Sequence, residues 1–215
     1  LTAKNISIPF TVGGGIKSIE DIDRTLRNGA DKVTMNTAIL QDISLLKKSA
    51  KVFGSSTIST NIEIIKINKK YFVSSSNGRN LHEINVFDWI RKVEDNGAGE
   101  IIITSVNHEG LREGFDIPLI KKITKYVDIP VVAHGGAGDF KHIYDVAINC
   151  NVSGISIASI LHYHYIHNTK FKNKLSGNTN FLNNFLKQNF KNSSTTNLIR
   201  KLKKYLKDKN INVRL

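Results

Sequence analysis

A strand, a glycine turn and a helix start occur together twice in this chain, and the repeat constrains the fold more than any other feature. The first copy spans residues 8–16 and reads IPFTVGGGI. The second copy, IPVVAHGGA at residues 129–137, lies 121 residues further on. Gly135 and Gly136 there stand in the places of Gly14 and Gly15. An internal repeat of this kind indicates two similar sites on one scaffold.

The first copy predicts a short buried strand over residues 8–12, followed by a helix. Ser18 is a suitable N-cap for that helix, and Gly29 is placed to end it. Between the strand and the helix, three glycines leave backbone N–H groups that no Cβ covers, which suits a bound phosphate. A tight turn without a ligand is the alternative. Since the unit occurs twice, we predict one substrate with a phosphate at each end.

Strand and helix patterns alternate along the chain, which predicts a parallel α/β domain. A hairpin predicted at residues 64–75, around Asn68, is an elaboration. A (β/α)8 barrel needs eight βα units, and six are visible. We therefore predict a (β/α)8 barrel that is N-terminally incomplete, with its first two units absent from this chain. The six predicted strands are residues 8–12, 32–36, 56–63, 100–105, 129–133 and 153–159.

The predicted organisation has three parts. Residues 1–163 form the partial barrel, residues 164–196 a basic Asn/Lys-rich insertion, and residues 197–215 a final barrel helix. Of the net charge of +13, residues 161–215 supply +11, from 12 basic residues and one acid. The barrel part is thus nearly neutral. A solvated basic helix is favoured over a nucleic-acid surface, and no nucleic-acid partner is predicted.

The cysteine content and the hydropathy of the chain indicate in which cellular compartment the protein works. The single Cys150 excludes an internal disulfide and fits a reducing, cytoplasmic compartment. No apolar run reaches about 18 residues, so no membrane contact is predicted. The histidines at positions 162, 164 and 167 lack nearby carboxylate or thiolate partners. Structural or solvent-exposed roles are therefore favoured for these histidines, and no metal site is predicted.

Eight segments together resemble a known family, the cyclase subunit of imidazole glycerol phosphate synthase. The resemblance covers residues 8–163 and the last helix, while residues 165–196 have no recognised counterpart. A related phosphoribosyl isomerase shares the glycine turns, but the GFD segment and the C-terminal ending favour the cyclase. The segments are IPFTVGGGI (8–16), GADKV (29–33), NTA (36–38), GAGE (97–100), TS (104–105), GFD (114–116), GGAG (135–138) and NVRL (212–215).

The resemblance implies a closed (β/α)8 barrel acting on a phosphoribulosyl-formimino aminoimidazole carboxamide ribotide, a bis-phosphate. Ammonia would come from a glutaminase subunit in a heterodimer, and the products would be imidazole glycerol phosphate and an aminoimidazole carboxamide ribotide. No cofactor is implied. The implied phosphate-binding residues are Gly14, Gly15, Asn36 and Thr37 for one phosphate, and Gly110, Gly135, Gly136, Ala158 and Ser159 for the other.

The resemblance also implies catalytic residues. Cyclisation needs a proton donor and a proton acceptor on either side of the substrate, and the family uses two carboxylates. One lies on a strand that this chain lacks; the other matches Glu63, where the family has aspartate. The longer side chain reaches about 1.5 Å further, and a misplacement of about 1 Å can cost on the order of 100-fold. A strand-end acid without catalytic duty is the alternative.

Two residues in the loop after the fourth strand are further catalytic candidates. Asn107 occupies a position where the family has an acid, and it cannot exchange protons. His108 could shuttle protons, bind phosphate or face solvent. His134 stands where the family has a small residue, so it narrows the pocket or adds a phosphate donor.

Further positions match the family's ammonia path. Lys32 and Glu100 match a salt-bridged gate, Thr11 and Thr34 match the channel, and Asp31 matches a glutaminase contact. An ordinary ion pair or core hydroxyl is the alternative for each. Three hypotheses follow: a working cyclase, a paralogue supplying ammonia for amidination of a surface sugar, and an inactive scaffold that activates a glutaminase.

Overall fold

A computed structural model describes residues 3–168 and 198–214, with the backbone alone for residues 165–168. Six parallel strands form one sheet in the order β1-β2-β3-β6-β7-β8, with helices between them. Six of the eight units of a (β/α)8 barrel are therefore present among these residues, as predicted. The parallel strands are β1 Thr11–Gly13, β2 Lys32–Met35, β3 Ile58–Ile67, β6 Glu100–Ser105, β7 Val131–His134 and β8 Gly154–Ser156.

The helices follow the strands as the sequence pattern predicts, with one short helix that was not predicted, α2. Helix α1 begins after Ser18, whose hydroxyl accepts a hydrogen bond from the Asp21 backbone N–H at 3.1 Å. It ends at the C-cap Asn28, and Gly29 follows with φ of +99°. The helices are α1 Ile19–Arg27, α2 Thr37–Gln41, α3 Ser44–Phe53, α4 Val86–Asp95, α5 Ile117–Ile123, α6 Phe140–Asn149, α7 Ser159–Asn168 and α8 Leu198–Lys207.

Both glycine turns follow the carboxyl ends of their strands, and these ends lie on the same side of the sheet. Strand β1 pairs in parallel with β2, and β7 pairs in parallel with β6 and β8. The carboxyl ends of all six strands therefore share one rim, which is the rim where (β/α)8 enzymes bind their substrates. The two turns therefore open on the same side of the sheet.

The first strand differs from its prediction. It covers Thr11–Gly13 rather than residues 8–12, and Ile8 is 67% exposed. Val12 is only half-buried. Among the described residues β1 pairs with β2 alone, so its other edge has no strand to cover it. The prediction of a buried strand is therefore wrong for the described residues, because burial of a strand needs a neighbour on both sides.

A three-stranded antiparallel extension rises from β3. This strand continues to Ile67, turns through Asn68 and Lys69 at φ of +48° and +67°, and pairs with β4 Lys70–Ser75. Two consecutive positive φ values are typical of a type I′ hairpin turn, so the predicted hairpin is confirmed. A further strand, β5 Asn80–Asn85, pairs with β4 and was not predicted. We call residues 64–85 the hairpin extension.

The core lies between the sheet and the helices, and isoleucine dominates it. Ile58, Ile101 and Ile103 are fully buried on the outer face of the sheet, against the helices. On the inner face, Ile102 and Val132 are only half-buried. A smaller cluster under β7 and β8 includes Leu202 and Leu206 of α8. The last helix thus packs against residues of β7 and β8.

No described helix is long and apolar enough to cross a membrane. Within residues 3–168 and 198–214, no group of three metal-binding side chains comes together. His162 is exposed and His164 is 4% exposed on α7. The side chain of His167 and residues 169–196 of the predicted insertion lie outside the described residues. Cys150 is a buried free thiol at the end of α6, and burial raises its pKa.

Replacing Ile103 with valine should destabilise the fold measurably. Ile103 is fully buried in the central strand β6, so losing one methylene leaves a small cavity. Such a change typically costs about 0.5–1.5 kcal/mol in unfolding free energy. Urea denaturation would measure it. Ile148→Val is the matched control, since Ile148 is 50% exposed on α6. Equal losses in both variants would contradict the described packing.

Candidate active site

The first glycine turn opens into a cavity of about 610 Å³ at the rim. Gly14 and Gly15 have φ of +91° and +75°, and a Cβ added to either would meet nothing within 4 Å. Their backbone N–H groups donate no hydrogen bond among the described residues. Asn36 and Thr37 line the same cavity at the start of α2. These four predicted residues therefore form one group of accessible donors, which we call the first cradle.

The second glycine turn lines a smaller cavity of about 160 Å³. Gly110, Gly135 and Gly136 line it together with Ala158 and Ser159, so all five predicted residues are brought together. Helix α7 begins at Ser159, and its N-terminal N–H groups lie at the cavity wall. We call this group the second cradle.

Close backbone contacts fix Gly136 of the second cradle and the nearby Gly138. A Cβ on Gly136 would lie 2.0 Å from the carbonyl oxygen of Gly114, and one on Gly138 would lie 2.0 Å from that of Arg112. The Gly114 N–H also donates to the Gly136 carbonyl at 2.9 Å. The turn is therefore packed tightly against the loop that follows β6, whereas the first cradle is open.

Glu63 lies in the first cavity and is held there by two donors. Its side chain is buried, at 7% exposed. The Asn36 amide donates to one carboxylate oxygen and the Gly78 backbone N–H to the other, each at 2.9 Å. Gly78 belongs to the turn between β4 and β5, so the hairpin extension fixes this carboxylate from above. Sequence reasoning missed Gly78, because the contact joins distant segments.

A row of polar side chains crosses the inner face of the sheet. Thr104 pairs in register with Glu63 on one side and His134 on the other. The Thr104 hydroxyl donates to the Asn61 side-chain oxygen at 2.8 Å, and the same hydroxyl lies 3.1 Å from His134 Nδ1. The row connects the first cavity, which Asn61 lines, to the second, which His134 lines. Alternation along β3 and β6 could have indicated Asn61 and Thr104.

Asn107 and His108 line neither cavity. The Asn107 side-chain oxygen accepts from the Lys66 N–H at 2.6 Å, so it ties the loop after β6 to the hairpin extension. His108 Nδ1 lies 2.9 Å from the Ser105 hydroxyl. Their neighbour Glu109 lines the second cavity instead. The structure therefore does not place these two residues beside Glu63.

Three of the predicted ammonia-path residues lie at the starts of their strands, opposite the rim: Thr11, Lys32 and Glu100. The fourth, Thr34, lines the first cavity. Lys32 Nζ and a Glu100 carboxylate oxygen form an ion pair at 3.0 Å, and Thr11 is in register with Lys32. Thr34 Oγ1 is buried without a hydrogen-bond partner among the described residues and lies on the inner face. Exposed Asp31 accepts from the Phe10 N–H at 2.7 Å and so fixes the start of β1.

Arg112 lies beside the second glycine turn. Its guanidinium donates to the Gly138 carbonyl at 3.2 Å and packs over the Tyr163 ring. Burial lowers the pKa of Arg112, yet an arginine stays charged at neutral pH. In the hairpin extension, burial and then the Asp116 carboxylate raise the pKa of Tyr71, so this phenol stays protonated.

Comparison with known proteins decides the family. The family model described as "Histidine biosynthesis protein" matches residues 1–167. The chain belongs to this family. Among its members, imidazole glycerol phosphate synthase subunit HisF of Thermococcus onnurineus is 44% identical over 161 residues, covering 75% of this chain and 64% of that protein.

Two further relatives in the family carry the same name. The subunit HisF of Natranaerobius thermophilus is 40% identical over 175 residues, which covers 81% of this chain and 70% of the relative. That of Saccharolobus solfataricus is 40% identical over 161 residues, covering 75% and 64%. The chain thus spans about two thirds of the length of these members of the histidine biosynthesis family.

Proposed function

We propose that this chain is a cyclase subunit of imidazole glycerol phosphate synthase. In the proposed reaction, ammonia and the phosphoribulosyl-formimino aminoimidazole carboxamide ribotide give imidazole glycerol phosphate, an aminoimidazole carboxamide ribotide and one molecule of water. One observation carries the proposal: two glycine turns line cavities that open on one rim, with a buried carboxylate in the larger cavity. This arrangement suits a substrate that is phosphorylated at both ends and undergoes proton transfer between them.

The two cradles hold the substrate ends in this proposal. Accessible N–H groups at glycine turns and helix starts bind phosphate oxygens without any metal. The first cradle takes one phosphate with Gly14, Gly15 and the start of α2, and the second takes the other with Gly135 and Gly136. The reacting carbon and nitrogen atoms would then lie over the polar row between them.

Glu63 is the proposed proton-transfer group. Ammonia addition and ring closure each move a proton, and a carboxylate in a shielded site can accept and return it. The two donors from Asn36 and Gly78 hold both oxygens at fixed positions. The extra methylene relative to aspartate is thereby accommodated by the hairpin extension. Asn107 and His108 are proposed to act indirectly, since their contacts are with Lys66 and Ser105.

Ammonia would enter from the opposite end of the strands. The Lys32–Glu100 ion pair is the proposed gate, and Thr11 and Thr34 line the path to the rim. A glutaminase subunit is the proposed partner, with Asp31 at its contact surface. The relatives are named as subunits, which supports an assembly of this kind.

The test of this proposal is turnover of the bis-phosphate substrate with ammonium salts, using the protein as its natural gene produces it. Formation of both products, followed by ultraviolet absorbance and mass spectrometry, is the expected result. Absence of turnover would overturn the proposal. Activation of a glutaminase without cyclisation would instead support the scaffold hypothesis.

A paralogue that supplies ammonia for amidination of a surface sugar is the second candidate function. Its support is the second cavity, which has about a quarter of the volume of the first and is lined by the bulky His134. A sugar substrate that lacks the second phosphate would not need a second cavity as large as the first. Turnover of such a sugar, with no turnover of the bis-phosphate, would favour this candidate.

A further inference from the structure

The internal repeat shows that the two cradles differ at one chemically important position. Aligning Gly14 and Gly15 with Gly135 and Gly136 places Gly13 opposite His134. A side chain at position 13 has no room, because an added Cβ would lie 2.3 Å from Thr34 Cγ2. The second cradle therefore contains an imidazole where the first has no side chain.

The hydrogen bonds around His134 determine which of its nitrogens carries hydrogen. Thr104 has one hydroxyl hydrogen, and it is donated to Asn61 Oδ1 at 2.8 Å. In the 3.1 Å contact with His134 Nδ1, the Thr104 oxygen must therefore accept, so Nδ1 carries a hydrogen. In the neutral imidazole, Nε2 is then the nitrogen with a lone pair.

That tautomer has a direct consequence for an anion in the second cradle. Nε2 has no hydrogen-bond partner among the described residues, and His134 is one of the residues that line the cavity. A lone pair repels phosphate oxygens, whereas a protonated Nε2 donates a charge-assisted hydrogen bond. Histidine is the side chain that ordinarily changes charge between pH 5 and 8. We propose that the second cradle binds its phosphate together with a proton on His134 Nε2, and that the first cradle binds without one.

The neighbouring elements supply other charged groups that a test must separate from His134. The loop after β6 contributes Glu109 at the cavity wall, Arg112 and His108. Glu63 lies in the same row on β3, two strands away. Strand β8 and helix α7 contribute the uncharged Ser156 and Ser159. Two other imidazoles compete with His134: His108 lies in the loop after β6, and His142 at the start of α6 accepts from the Gly138 N–H at 3.2 Å.

Sulfate is the probe for this proposal, because it remains a dianion over the whole range from pH 5.5 to 8. The experiment follows amide signals of the 15N-labelled full chain during sulfate titrations at constant ionic strength. Gly15 reports the first cradle and Gly136 the second. We expect sulfate affinity at Gly136 to fall about tenfold as pH rises across this range, since the charge-assisted bond is lost. Affinity at Gly15 should change little.

Two variants make the result specific. His134→Gln keeps a neutral polar side chain and should remove the pH dependence at Gly136. His108→Gln should leave it in place. Parallel pH dependence at both cradles, or its persistence in His134→Gln, would overturn the inference.

The inference rests on the proposed function, but the two can fail separately. If both cradles bind sulfate and neither affinity depends on pH, the proposed role of a proton on His134 is wrong. The bis-phosphate proposal would still stand. If the Gly15 and Gly136 amides respond to neither sulfate nor inorganic phosphate, both are overturned.

Discussion

Replacing Glu63 with glutamine should reduce ammonia-dependent cyclisation by about 10²–10⁴-fold, the usual contribution of general acid–base catalysis. Glutamine has nearly the same shape and stays within reach of Asn36 and Gly78. It cannot accept and return a proton, so kcat should fall while KM changes little. The measurement is steady-state turnover with saturating ammonium salt.

The controls separate lost chemistry from lost structure. Glu113→Gln removes an exposed carboxylate from the same rim, and it should keep full activity. Glu63→Asp keeps the carboxylate but shortens its reach, so its turnover should lie between that of the wild type and that of Glu63→Gln. If the Glu63→Gln variant turned over the substrate at a rate within about threefold of the wild type, the loss would be far smaller than expected. That result would exclude Glu63 as the proton-transfer group.

Replacing Gly136 with alanine should strongly weaken anion binding at the second cradle. The new Cβ would lie 2.0 Å from the Gly114 carbonyl oxygen, at a φ of +109° that side chains rarely adopt. The backbone strain alone is on the order of 1–3 kcal/mol. The turn must move away from the loop after β6, which displaces its N–H groups. We expect at least about a 100-fold loss of sulfate affinity, equivalent to about 2.7 kcal/mol.

Gly110→Ala is the matched control for this effect. Gly110 lines the same cavity with φ of +78°, but a Cβ there would meet nothing within 4 Å. In Gly110→Ala the cost of a positive φ remains, but there is no collision with a neighbouring backbone. Sulfate affinity should therefore fall far less than in Gly136→Ala. Titration of both variants at pH 5.5, followed by amide signals, makes the comparison. Equal losses would show that steric contact with Gly114 is unimportant.

The alternating units were predictable because their physical causes are local. Strand β6 has the predicted bounds, since an unbroken isoleucine run follows Gly97 and precedes a polar loop. Ser18 and Gly29 act at the ends of α1 as their residue types require. The two cradles were predictable for the same reason, because a glycine turn between a strand and a helix defines both its backbone and its donors.

Features that depend on distant contacts were not predictable. Strand β5 has the polar sequence NLHEIN, and its strand conformation comes from pairing with β4. The Asn36–Glu63 and Gly78–Glu63 bonds join segments 27 and 15 residues apart. Asn107 was interpreted from the family pattern alone, and its contact with Lys66 depends on a hairpin whose orientation no local pattern specifies.

The two ends of the hairpin extension face different evolutionary constraints. The turn at Asn68 and Lys69 is exposed, so insertions there should be tolerated and a fluorescent label could be attached. The turn at residues 76–79 provides the Gly78 N–H that holds Glu63, and a Cβ on Gly78 would lie 2.5 Å from Val106. Length variation among homologues should therefore concentrate at the first turn, while the second keeps both its length and its glycine.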